Sequence, residues 1–176
     1  MYYRTRTYLA GDWDGDSDLI GKIQEWNNSD RWALDFSDAH DLTQARDGSL
    51  NCSIKRSLSE RLNASKKFVL IVGKCTNTVR SGGCQFCRNY NPVYESCRSG
   101  MRTDTRSYVK YECEKAYSDF LDGEMDVVVI YNSTSVNRDR CPDALRWCGT
   151  HIAGRCKDVY GRENWNYQEI KAKIMA

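Results

Sequence analysis

A chain of 176 residues and 20.3 kDa is the length of one domain. Leu, Ile, Val and Phe together supply only 32 residues, but a net charge of +2 and 20 aromatic side chains exclude the disordered class, and two prolines exclude a Pro-rich linker. The charge is uneven: residues 1–50 carry −5, residues 51–110 carry +9 and residues 111–176 carry −2.

Taken in chain order, residues 4–9 alternate as a strand that ends at Gly11. Residues 17–26 read as a helix with Leu19, Ile20, Ile23 and Trp26 on one face. Residues 32–36 read as a second short strand, and Ser53 caps a helix running to Leu62. The continuous apolar run 68–72, closed by Gly73, has the signature of a parallel strand buried on both faces. A long interruption follows at about 74–105. A helix resumes with Val109, Cys113, Ala116, Tyr117 and Phe120 on one face, and residues 126–131 form another buried strand. A short helix after Pro142, a strand at 151–156 and a final helix at 167–175 complete the chain.

This alternation predicts an α/β fold. It is a flavodoxin-like three-layer sandwich with a mainly parallel sheet of about five strands and helices on both faces. The domain spans 1–176 and carries the Cys-rich segment 74–105 as an insert. Open sheets of this kind place their sites at the carboxyl ends of the strands, here residues 12–18, 37–41, 73 onward and 132 onward.

The first of these loops, with Asp12, Asp14, Asp16 and Asp18, is no phosphate cradle, because its carboxylates repel phosphate. An EF-hand loop starting at Asp12 fails, with Ser17 and Ile23 at its sixth and twelfth positions. A helix dipole accounts for Asp16 and Asp18, whereas Asp12 and Asp14 are placed to accept hydrogen bonds from sugar hydroxyls. A phospho-relay receiver is excluded, since the third strand ends Ile71-Val72-Gly73 with no aspartate. Ser37, Asp38, His40 and Asp41 read either as an Asx-type turn or as a metal or acid–base group. Glu112 lies at the margin of the helical stripe, on the side of Tyr108 and Ala116, and reads either as an ordinary boundary glutamate or as a carboxylate that points into the cleft at the sheet's edge. Glu114 is expected in solvent.

In the insert, Cys84-x-x-Cys87 has the spacing of a metal knuckle, and Cys75 and Cys97 flank it as partners for a structural zinc. The alternative is reduced thiols. Nine cysteines is an odd number, and with no signal peptide or membrane span in view the expected setting is cytoplasmic. The basic middle of the chain reads as a solvated helix face and loop rather than a nucleic-acid footprint.

The order of elements, with Ser107-Tyr108-Val109-x-x-Glu112 opening the helix before a strand, resembles the TIR domain, more closely the prokaryotic TIR-like group that includes the Thoeris anti-phage sensors. Arg6-Thr7-Tyr8, residues 36–40, residues 68–73 and Trp165-Asn166-Tyr167 carry the same resemblance. The resemblance implies that Glu112 acts on NAD, stabilising the oxocarbenium-like ribose as the nicotinamide leaves. It implies that Tyr108, standing where TIR domains carry Trp, lines the pocket, while Asp12, Asp14 and Ser37 approach the nucleotide. It also implies self-association or a separate effector partner. Two rivals stand beside this reading: a non-catalytic TIR-like interaction module, and a nucleoside-processing transferase.

Overall fold

The structure, a computed structural model, describes residues 4–32, 34, 36–37 and 49–176. Its core is a sheet of four parallel strands in the order β1 (Arg6–Ala10), β2 (Ser65–Val72), β5 (Asp126–Tyr131) and β6 (Thr150–Ala153). The strands are rich in β-branched residues, and alternate side chains serve opposite faces. Tyr8, Phe68, Leu70, Val72, Val127, Val129 and Tyr131 enter one core cluster; Leu9, Val69, Ile71, Val128 and Ile130 enter the other.

Each cluster is closed by two helices. On the first face lie α2 (Asn51–Asn63) through Leu58 and Leu62, and α3 (Tyr108–Leu121) through Val109, Cys113 and Ala116. On the second lie α1 (Ser17–Asn27) and α4 (Tyr167–Met175), through Leu19, Ile20, Ile23 and Trp26 and through Ile170 and Ile174. The expected three-layer, flavodoxin-like α/β arrangement is therefore present. The apolar face read from the spacing in α1 is the face that is buried; in α3 Val109, Cys113 and Ala116 are buried as read, Tyr117 and Phe120 are half-buried, and Glu112 and Asp119 are buried beside them.

Three boundaries differ from expectation. Helix α2 starts after Leu50, not at a Ser53 cap, and Leu50 offers no capping side chain. The expected strand 151–156 is broken at Gly154, whose N–H turns back to the Tyr131 carbonyl at 2.7 Å. Its first part completes the main sheet as β6. Its second, β7 (Arg155–Lys157), pairs antiparallel with β8 (Glu163–Trp165). Among the described residues the sheet has four strands, not about five. Ala33 and Asp35 of the expected strand 32–36 lie outside the described residues. Leu34 is buried and Phe36 is tied to the Asn27 side chain by two 2.9 Å hydrogen bonds.

The insert holds two single 3₁₀ turns (Thr76–Thr78 and Cys84–Phe86) and a minimal hairpin of β3 (Tyr90–Asn91) and β4 (Ser96–Cys97). Among the described residues no helix is long and apolar enough to cross a membrane.

Candidate functional site

Helix α3 begins at Ser107, whose Oγ accepts the Lys110 N–H at 3.2 Å. From that start its turns carry Val109, Glu112, Cys113 and Ala116 onto the sheet. Glu112 therefore goes into the protein rather than to its margin, and only 5% of it is exposed. The fully buried Tyr8, on β1, donates its hydroxyl to Glu112 Oε1, and its ring stacks on Phe68 at 5.7 Å. Burial drives the Glu112 carboxyl up to about 7; the Tyr8 hydroxyl and the Arg61 charge pull it the other way and do not prevail.

The crevice beside α3 is lined by neighbours of Glu112. It encloses about 650 Å³ between residues beyond β2 (Thr76, Arg80), α3 (Lys110, Cys113, Glu114) and Asp143 beyond β5. It lies past the carboxyl ends of two parallel strands, where open α/β sheets hold ligands. Glu114, expected in solvent, lines this crevice and receives Arg106 Nη1 at 2.6 Å. The adjacent positions 112 and 114 thus divide the two environments, one in the core and one on the crevice wall.

A second polar cluster occupies the carboxyl edge itself. Asp16, 3% exposed, precedes α1 and accepts Asn132 Nδ2 at 3.0 Å and Thr76 Oγ1 at 3.4 Å. Asn132 immediately follows β5; its Nδ2 also reaches Asp18 at 2.8 Å, and its Oδ1 accepts Arg155 Nε at 3.2 Å. Arg155 is ion-paired with Asp18. Burial raises the Asp16 carboxyl above its ordinary range, the Asn132 and Thr76 hydrogen bonds lower it, and the Asp12 and Asp18 charges add to the rise. Asp16 is thus the inward member of the acidic loop. Of the pair expected to meet a ligand, Asp12 is half-buried, with its carbonyl accepting the Asp16 N–H at 2.8 Å, and Asp14 is exposed. Ser37 is exposed, its carbonyl accepting the Thr7 N–H at 3.0 Å. Asp38, His40 and Asp41 lie outside the described residues.

Tyr108 holds the insert. Its hydroxyl donates to Asn51 Oδ1 at 3.0 Å, its N–H to the Ser81 carbonyl at 2.9 Å, and its ring lies against Gly82. Gly82 has φ of +99°, and a Cβ there would stand 2.5 Å from the ring. Asn51 Nδ2 completes the junction at the Gly83 carbonyl, 2.9 Å away. The four thiols expected to share a zinc are not gathered: among the described residues no group of three or more His, Cys, Asp or Glu side chains is placed to hold a metal. The buried Cys84 sulfur accepts the Asp104 N–H at 3.2 Å, Cys75 is exposed, and Cys87 and Cys97 are half-buried. Hydrogen bonds to Tyr108, Asn51 and Asp104 do the anchoring assigned to the metal.

Three of these residues have no individual site role assigned from the sequence. Asn132 and Thr76 fall in the loops expected to hold a site, 132 onward and 73 onward, and Tyr8 is named only for the family resemblance, since a tyrosine within an alternating strand reads as ordinary.

A parallel sheet covered on both faces, a glutamate buried on the helix before β5 and a polar cluster at the carboxyl edge define an α/β domain of flavodoxin-like build with a candidate site at the strand ends. Residues 8–81 match the family model of the TIR-like domain of the Thoeris protein ThsB. That span runs from β1 to just past β2 and bears out, for that part of the chain, the resemblance read from the sequence. It ends before α3, so Glu112 and most of the insert lie beyond it. No curated protein gives a significant match to the chain.

Proposed function

We propose that this TIR-like domain binds NAD and breaks the bond between nicotinamide and ribose, with Glu112 as the essential carboxylate. The observation that carries the reading is the burial of an ionisable group on α3 with Tyr8 as its hydrogen-bond donor. Burial of that kind costs folding energy, and groups so perturbed concentrate at functional sites.

The chemistry suits this placement. As the C1′–N bond breaks, its electron pair moves to the nicotinamide nitrogen and quenches the ring's positive charge. Positive charge appears on the ribose, and a fixed carboxylate in a water-poor setting stabilises it. Water then attacks C1′ and loses a proton, giving ADP-ribose; attack by a nucleophile within the same molecule gives a cyclic product instead. The carboxyl, held at about 7, is ionised in a large fraction of molecules at neutral pH, and the Tyr8 hydroxyl keeps it oriented. Tyr8 must yield its bond for ribose hydroxyls to reach Glu112, and the crevice along α3, lined by Cys113 and Glu114 close to it in the chain, supplies space for them. Asp16, Asn132 and Arg155 form the polar rim for the rest of the dinucleotide. The product passes to an effector partner or acts through self-association.

The test is nicotinamide release from NAD by the full chain, with Glu112→Gln and Glu114→Gln compared. Release abolished in the first and retained in the second supports the reading. Equal release in wild type and Glu112→Gln overturns it, and base exchange between nucleosides points instead to the transferase. A non-catalytic docking module is the second reading. It is favoured by the side chains of Trp147, Val159 and Tyr160, which are 76%, 92% and 79% exposed. Concentration-dependent association without nicotinamide release would select it.

A further inference from the structure

A second cavity, of about 640 Å³, opens where the end of the insert crosses α2 and the first turn of α3. Its walls include Lys55, Arg56, Arg102, Asp104, Arg106 and Tyr111. Lys55 is 4% exposed, and its ammonium is fully engaged: the carbonyls of Asp104 and Arg106 accept at 3.0 and 2.7 Å, and Asp104 Oδ1 lies 3.2 Å away. Arg106 is also spent, at 2.7 Å from Asp104 Oδ2 and 2.6 Å from Glu114 Oε2. Asp104 is held well below the usual carboxylate range, chiefly by the Arg106 guanidinium, so it is ionised across the physiological range.

These four charges cancel and make a rigid, electrically balanced floor. Two cations remain over it. Arg56, on the exposed side of α2, and Arg102, at the end of the insert, have no ion-pair partner among the described residues. They come from segments some 46 positions apart and line one cavity, together with Thr103 and Thr105, which follow Arg102 in the chain. Guanidinium groups offer planar, paired N–H donors that match phosphate oxygens, and a pair left unneutralised at a concave site is the arrangement that selects multiply charged anions. The cavity is of the size that takes a nucleotide-scale molecule.

We propose that this cavity is a binding site for a small phosphate-bearing anion, a nucleoside polyphosphate or inorganic polyphosphate, gripped by Arg56 and Arg102. The site is separate from Glu112. Most of its insert wall lies past the segment that matches the Thoeris family model, which makes it a feature of this chain's insert.

The experiment is calorimetric titration of the full chain with inorganic tripolyphosphate, ATP and a 12-residue single-stranded oligoribonucleotide, at low and high salt. Saturable 1:1 binding of tripolyphosphate or ATP is expected, weakened at least tenfold in the Arg56→Gln/Arg102→Gln variant and unchanged in Glu112→Gln. Tripolyphosphate and ATP bound alike assign recognition to phosphate alone, and a preference for ATP adds a base contact; both support the site. Circular dichroism and thermal melting of the double variant establish that it folds, and the exposed positions of both arginines favour that. Equal affinity in wild type and the folded double variant overturns the proposal. So does absence of saturable binding up to millimolar ligand, and so does binding confined to the oligoribonucleotide, which would mark a nucleic-acid surface instead.

Discussion

The hydroxyl of Tyr8 on β1 meets the carboxylate of Glu112 on α3, across 104 positions of sequence and inside a cluster of buried hydrophobic side chains. An acid raised by burial has a definite consequence for stability. Between its unfolded value of 4.5 and its folded value of about 7, the folded state holds a proton that the unfolded state has released. Stability contributed by this group is therefore complete below 4.5 and declines as pH rises towards 7, by about 3 kcal/mol in total. Glu112→Gln removes that decline. Urea melts at pH 5 and pH 8 should show the variant near wild type at pH 5 and more stable at pH 8. A variant that loses stability equally at both would contradict the buried acid.

Tyr8→Phe preserves the ring and its stacking on Phe68 and removes only the donor. A hydrogen bond to a charged group contributes about 1.5–3 kcal/mol, and a neutral pair about 1. The variant should lose more stability at pH 8, where Glu112 is ionised, than at pH 5. If nicotinamide is released, its pH profile should shift to higher pH, because the bond that lowers the Glu112 carboxyl is gone.

Gly73 closes β2 directly against Asp16: a Cβ at Gly73 would fall 1.9 Å from Asp16 Oδ1. Gly73→Ala should cost about 2–3 kcal/mol, the scale of overpacking a tight interior. The cost should shrink strongly in an Asp16→Ala background, where the obstructing carboxylate is absent. Fully additive losses in this double-mutant cycle would place the strain elsewhere.

Gly82→Ala introduces a side chain at a left-handed backbone position and against the Tyr108 ring. Hydrogen exchange should accelerate across residues 81–105 and stay unchanged in β2 and β5, since the junction at Tyr108 anchors the insert and the sheet stands on its own core. Uniform acceleration through the sheet would show that the insert supports the whole fold.

Much of this molecule was legible in its residues taken alone. Continuous apolar runs are satisfied by strands covered on both sides, so residues 126–131 and the core of β2 announced themselves. The 3.6-residue spacing of Leu19, Ile20, Ile23 and Trp26 announced the buried face of α1. Those patterns are local, and the hydrophobic driving force behind them does not depend on what lies across the core. The four thiols of the zinc reading are not gathered in the structure, because spacing along a chain does not specify convergence in space. Cys84 turned inward to an Asp104 amide, and Tyr108 took the anchoring role.

Only the tertiary structure decided which glutamate of α3 goes inside. A rotation that the stripe leaves open is settled by where the Tyr8 hydroxyl and the strands beneath α3 stand, which puts Glu112 in the core and Glu114 at the crevice with Arg106. The same holds for Asp16 among four aspartates of one loop, buried because Asn132 and Thr76 arrive from two other strand ends to bind it. The sequence by itself determined the layers, through the burial of apolar surface. The polar partnerships that give the layers a chemistry came from contacts between distant segments, whose geometry no local pattern encodes.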